Sequence, residues 1–188
     1  MPKLIPVLVP WYISPAVPVL SITIIEMNSI TVSFQAGFGP INPYTGGINE
    51  EVRLEKNEFA SLGYRNALEV RVELTFLFTT DVRINPCISE GRIIDYDLYD
   101  TSGLLPALSS DFNRDTRDEF QMWKATGYCP TPRMYSIEPS AWLESLTEQG
   151  YQYHLGERPA KHYMILGEDM WIEILAKEWS WKLAQQTD

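Results

Sequence analysis

From Leu68 to Thr79 the chain alternates. Leu68, Val70, Val72, Leu74, Phe76 and Phe78 are apolar, and Glu69, Arg71, Glu73, Thr75, Leu77 and Thr79 fall between them. A repeat of two sends one set to a core and the other towards water, as in an antiparallel strand with one covered face. Residues 20–35 alternate too, and the turn Met27-Asn28-Ser29 would fold them into a hairpin. That register puts Ile22, Ile24, Val32 and Phe34 on one face and Ser21, Thr23, Ser33 and Gln35 on the other. Short strands are also expected over 51–55, 93–99 and 133–137.

The spacing predicts two helices. Ser110 or Asp111 can cap a helix to Ala125, with Phe112, Phe120 and Trp123 on one face and Gly127 as the stop. Ser140–Gln149 forms the second, with Trp142, Leu143 and Leu146 inward. Asn57 can cap a helical turn running to Leu62 and ended by Gly63, and residues 36–49 read as a turn-rich loop. The last forty residues read as a meander of 151–155, 161–166 and 170–183, with a bulge or bend near Ala176. Strands and crossover helices do not alternate, so the expected class is α+β. Its sheet should be mainly antiparallel, curved or barrel-like, with two short helices.

The N-terminus changes this picture. Leu4–Leu20 is apolar and follows Lys3, but Pro6, Pro10, Pro15 and Pro18 interrupt it. Interior prolines cost a helix about 3 kcal/mol each, which argues against a signal or membrane helix. Residues 2–18 are instead expected to form an extended arm at a sheet edge. It would cover its own domain or cross to a second copy. The 188 residues fit one domain, and 45% hydrophobic residues suffice for a core. A net charge of −10 disfavours nucleic acid and anionic membranes. Two cysteines, Cys87 and Cys129, exclude a Cys₄ zinc site and are expected as reduced thiols in a cytoplasmic protein.

Candidate chemistry centres on the two histidines. His154 and His162 flank one predicted turn, and a hairpin centred on Arg158 would set them opposite each other. If the next turn uses Glu168-Asp169, Glu173 falls opposite Met164 and diagonal to His162 on the same face. His154, His162 and Glu173 could then hold zinc or iron with positions open for water. Trp171, Trp179, Trp181, Tyr151 and Tyr153 are candidate binding residues, either packed across strands or lining a ligand pocket or a protein interface.

Other patterns are weaker. Asp95 and Asp97 form a bare D-x-D. Asp111, Asn113 and Asp115 start like a calcium loop, but Thr116 and Met122 stand where glycine and glutamate are needed. No G-x-S-x-G or H-E-x-x-H occurs, and nothing local activates Cys129. The expected function is therefore non-catalytic binding or protein interaction in the cytoplasm, with the partner a second copy of the chain or another protein. The alternatives are a metal-assisted hydrolase using the two-histidine, one-carboxylate site, and a small-ligand carrier with a curved-sheet cavity.

Overall fold

The computed structural model of the chain describes residues 1–13, 20–26, 28–56, 62–86, 94–102, 112–149, 159–167 and 170–184. Its strands are β1 (Lys3–Pro6), β2 (Tyr12–Ile13), β3 (Ser21–Glu26), β4 (Ser29–Gly37), β5 (Arg53–Lys56), β6 (Leu62–Arg65), β7 (Glu69–Leu77) and β8 (Asp81–Pro86). Helix α1 (Phe112–Thr126), β9 (Met134–Glu138) and α2 (Ala141–Glu148) follow, then β10 (Lys161–Leu166), β11 (Met170–Ala176) and β12 (Glu178–Leu183). Sheet A runs β1-β9-β10-β11-β8, and sheet B runs β12-β7-β4-β2 with β3 also beside β4. All these strand pairs, and the separate β5–β6 pair, are antiparallel. The class is α+β as expected, but the sheets are curved and joined without closing into a barrel.

Two devices join them. At one side β7 passes into β8 through residues 78–80, and β11 passes into β12 at Lys177. The partners β7–β12 in sheet B therefore continue as β8–β11 in sheet A. Backbone bonds from Thr80 N to Leu175 O (2.8 Å) and Lys177 N to Leu77 O (3.3 Å) hold this corner, and Phe78 takes a positive φ there. The predicted bend near Ala176 is thus a strand changing sheets. At the other side the N-terminal arm gives β1 to the edge of sheet A and β2 to the edge of sheet B. Pro6 suits its place on an edge strand, where a missing donor breaks no ladder; residues 14–18 of the expected arm lie outside the described residues.

The core lies between the sheets. Val32, Phe34, Val72, Leu74 and Phe76 of sheet B meet Met134, Tyr163, Ile165, Ile172 and Ile174 of sheet A, and the arm adds Val9, Trp11 and Ile13. Trp11 is wholly buried and packs on Phe34 at 5.1 Å and edge-on to Trp181 at 6.3 Å. A smaller cluster of Ile41, Trp123 and Cys129 anchors α1. Gly39 lets the 36–49 loop cross it, because a Cβ there would sit 2.5 Å from the Trp123 ring.

Several expectations need correction. The hairpin pairs Ile22 with Val32, two positions from the predicted register, with a bulge between Ile24 and Glu26. An even shift preserves the faces, and Val32 and Phe34 are buried, but Ile24, expected with them, is 74% exposed beside the bulge. Residues 94–102 are not a strand. The Asp95 side chain accepts the Asp97 N–H at 3.3 Å, and a 3₁₀ turn follows at Tyr96–Leu98. Leu62 and Gly63 begin β6 instead of ending a helix, since the ladder Lys56↔Leu62, Glu55↔Gly63 claims them. Residues 57–61 of that predicted turn lie outside the described residues. Asn113 and Asp115 fall inside α1, so a helix replaces the calcium-loop pattern. The neighbour of β10 opposite β11 is β9 (Tyr163↔Ser136), where the meander reading had 151–155.

Candidate functional site

The alternation that turns Ile172 and Ile174 into the shared core turns Trp171 and Glu173 to the outer face of sheet A. The β10–β11 register sets Met164 opposite Glu173 and His162 opposite Leu175, as a two-residue turn after Gly167 predicts. His162 and Glu173 do meet, with Nε2 3.1 Å from Oε1. Both are buried, His162 at 5% exposure. The approach is close, but its direction does not meet the geometry of a hydrogen bond, and Nε2 has no aligned partner. The contact is a close approach of the two groups and not a formed N–H···O bond.

The rest of the cluster comes from α2 and β8. Ser140 caps α2, and its Oγ accepts the Leu143 N–H at 3.0 Å. The same Oγ lies 2.9 Å from His162 Nδ1. Trp142 stands edge-on to the imidazole at 5.2 Å, and the Arg83 guanidinium stacks 3.8 Å above the Trp142 ring. Asn85 Nδ2 is 3.4 Å from the other Glu173 oxygen, Oε2. Burial and the nearby Glu173 charge push the Tyr99 hydroxyl up to about 12. Ser140, His162 and Glu173 stand in the order of an acyl-transfer triad. However, Ser140 Oγ is engaged as the helix cap and Ser140 is 8% exposed, so the hydroxyl is not presented to a substrate.

A second site lies at the sheet corner. A cavity of about 440 Å³ is lined by Pro159, Lys161, Tyr163, Lys177, Glu178 and Trp179. It forms where β11 becomes β12, so Lys177 is buried while Trp179 stays half-buried against the core. Burial first, and then Glu138, raises the Tyr163 hydroxyl above its usual range.

The aromatic candidates do not form one surface. Trp179 and Trp181 face the core between the sheets, and Trp171 packs with Leu166 and Ile94 on the opposite face of sheet A. Tyr151, Tyr153 and His154 lie outside the described residues. Among the described residues, no group of three or more His, Cys, Asp or Glu side chains is placed to hold a metal. Cys129 is a buried free thiol, pushed up to about 12 by burial, which leaves it protonated and inert. Sequence reasoning missed the partnership of Ser140 with His162. It also missed β8, and with it Arg83 and Asn85. No family model, curated protein or solved structure matches this chain.

Proposed function

We propose that this chain is a non-catalytic binding domain, and that it holds a small ligand with one negative charge and a flat apolar part. The corner cavity carries this reading. Its volume falls in the usual range for small-molecule sites. Lys161 offers an ammonium group, and the half-buried Trp179 offers ring surface. Glu178 on the same wall offsets part of the lysine charge, which favours a carboxylate over a phosphate. The test is thermal unfolding with a panel of aromatic and alkyl carboxylates. A ligand at a hundred times its Kd should add about 2.7 kcal/mol, and Lys161→Met and Trp179→Ala should abolish the gain. If no carboxylate raises the melting temperature, the reading fails.

A metal-assisted hydrolase is the second reading, favoured by the His162–Glu173 proximity. It would take a further ligand, for which the sequence offers His154. Hydrolysis of activated esters that a chelator abolishes would support it; turnover indifferent to chelation would count against it.

We place the domain in the reducing cytoplasm, which suits the buried free thiol of Cys129. The acidic charge supports a partner other than nucleic acid. A second copy is the partner this reading favours, through exchange of residues 2–18, which would preserve the arm's contacts while tying a dimer. Light scattering that finds monomers at high concentration removes the exchange. No described helix is long and apolar enough to cross a membrane.

A further inference from the structure

We propose that His162 Nε2 and the Glu173 carboxylate are two protein ligands of a divalent first-row transition ion of zinc's class, held between β10 and β11 on the outer face of sheet A. This site is separate from the corner cavity; it deepens the second reading above, and bound metal without chelator-sensitive ester hydrolysis would keep the site and remove only the hydrolase.

The first ground is the unmatched nitrogen. His162 is almost wholly buried, and its Nε2 faces Glu173 Oε1 at 3.1 Å without hydrogen-bond alignment. A bare Nε2 lone pair there would repel the carboxylate, and a proton there would be poorly aimed. A cation set to one side of the N···O line satisfies both groups. The spacing suits this: ligands about 2.0–2.1 Å from a tetrahedral ion lie a little over 3 Å apart.

The second ground is the support behind each ligand. A metal-bound imidazole usually gives its other N–H to an oxygen that fixes the ring. His162 Nδ1 lies 2.9 Å from Ser140 Oγ, and Ser140 is itself fixed by the Leu143 N–H. Trp142 closes on the ring edge-on. On the other ligand, Asn85 approaches Oε2 and leaves Oε1 towards the imidazole. Each ligand thus has a neighbour that sets its orientation.

The third ground is charge. Glu173 is buried, and a carboxylate there gains from positive charge close by. Its cross-strand neighbour Arg83 places its guanidinium on the Trp142 ring. A bound dication would supply positive charge between the two ligands. An imidazole nitrogen beside a carboxylate oxygen selects zinc, iron, cobalt or nickel over calcium and magnesium, which prefer all-oxygen shells. Water would complete the coordination.

The experiment titrates Co²⁺ and Zn²⁺ into full-length protein freed of metal by chelation. The expected result is one equivalent bound at micromolar or tighter affinity, with visible d–d absorption from cobalt that zinc displaces. Glu173→Gln, which keeps size and shape, should weaken binding by about 100-fold, and Ser140→Ala by about 10-fold through lost ring orientation. Lys182→Ala, on the far sheet, should bind as the parent does. Circular dichroism checks the fold of each variant, and if His162→Ala fails to fold, the Glu173 and Ser140 variants decide. Absence of a cobalt spectrum in the parent protein overturns the proposal. So does binding that is unchanged in folded Glu173→Gln and Ser140→Ala, because the ion then sits elsewhere.

Discussion

Towards sheet B, sheet A presents Met134, Tyr163, Ile165, Ile172, Ile174 and Ala176, and they meet a partner surface of the same kind. On its other face Leu4, Ile94, Tyr135, Ile137, Met164 and Leu166 share the cover with His162, Glu173 and Ser140. The difference follows from what lies opposite. A regular sheet brings its own backbone bonds satisfied, so hydrocarbon alone can fill the gap. A helix start and a loop bring backbone groups that need partners, and Ser140 serves one of them. Polar groups are affordable on the outer face and would be costly between the sheets.

The largest expected effect tests the inner side. Trp11→Ala should cost about 3–5 kcal/mol in urea unfolding, since an arm residue fills the middle of the core. A loss below about 1 kcal/mol would mean that the arm merely lies on the surface. A smaller but still sizeable effect belongs to Cys129. Its folded pKa is raised from 9.0 to about 12 by burial. Below pH 9 both states keep the proton and nothing changes. As pH rises from 9 towards 12 the unfolded thiol ionises first, so stability falls. Cys129→Val should flatten that alkaline decline, as measured by unfolding between pH 8 and 11. The same thiol should resist alkylation at pH 8 until denaturant is added.

The outer side should respond more mildly. Glu173→Ala leaves Asn85 and His162 facing a missing carboxylate and should cost about 2 kcal/mol; a neutral result would make the polar cluster dispensable. Ser140→Ala removes a helix cap and should cost about 1 kcal/mol, visible as a small drop in melting temperature. The smallest change is expected at Thr31, whose hydroxyl lies 3.0 Å from that of Thr75 across β4 and β7. Thr31→Val should move stability by no more than about 1 kcal/mol. A larger loss would show that the outer face of sheet B also holds a polar core.

Legibility in the sequence divides along the same line. The β7 alternation is long, and Val72, Leu74 and Phe76 are wholly buried as it requires, while Phe78 falls past the strand at the sheet corner and is exposed. The β10–β11 register was readable because a short turn permits few pairings, and it carried Glu173 to His162. Helix α2 was marked by Ser140 at its start. By contrast, no strand is expected at DVRINP, a short segment rich in polar residues, and it becomes β8 because β11 offers it an open edge. The pairing of β9 with both β1 and β10 joins distant segments that no local pattern connects. Ser140 was legible as a cap, but its second role depends on where β10 lies, so no neighbour in sequence signals it.

The pairing of β1 with β9 also sets an order of events during synthesis. Leu4 settles opposite Ile137, about 130 residues further along the chain. The arm therefore leaves the ribosome about 130 residues ahead of the strand it pairs with. At roughly 5–20 residues per second, that leaves an apolar, proline-punctuated segment waiting about 7–27 s for its partner strand. A holding chaperone that favours extended apolar segments would find residues 4–13 uncovered until β9 is made.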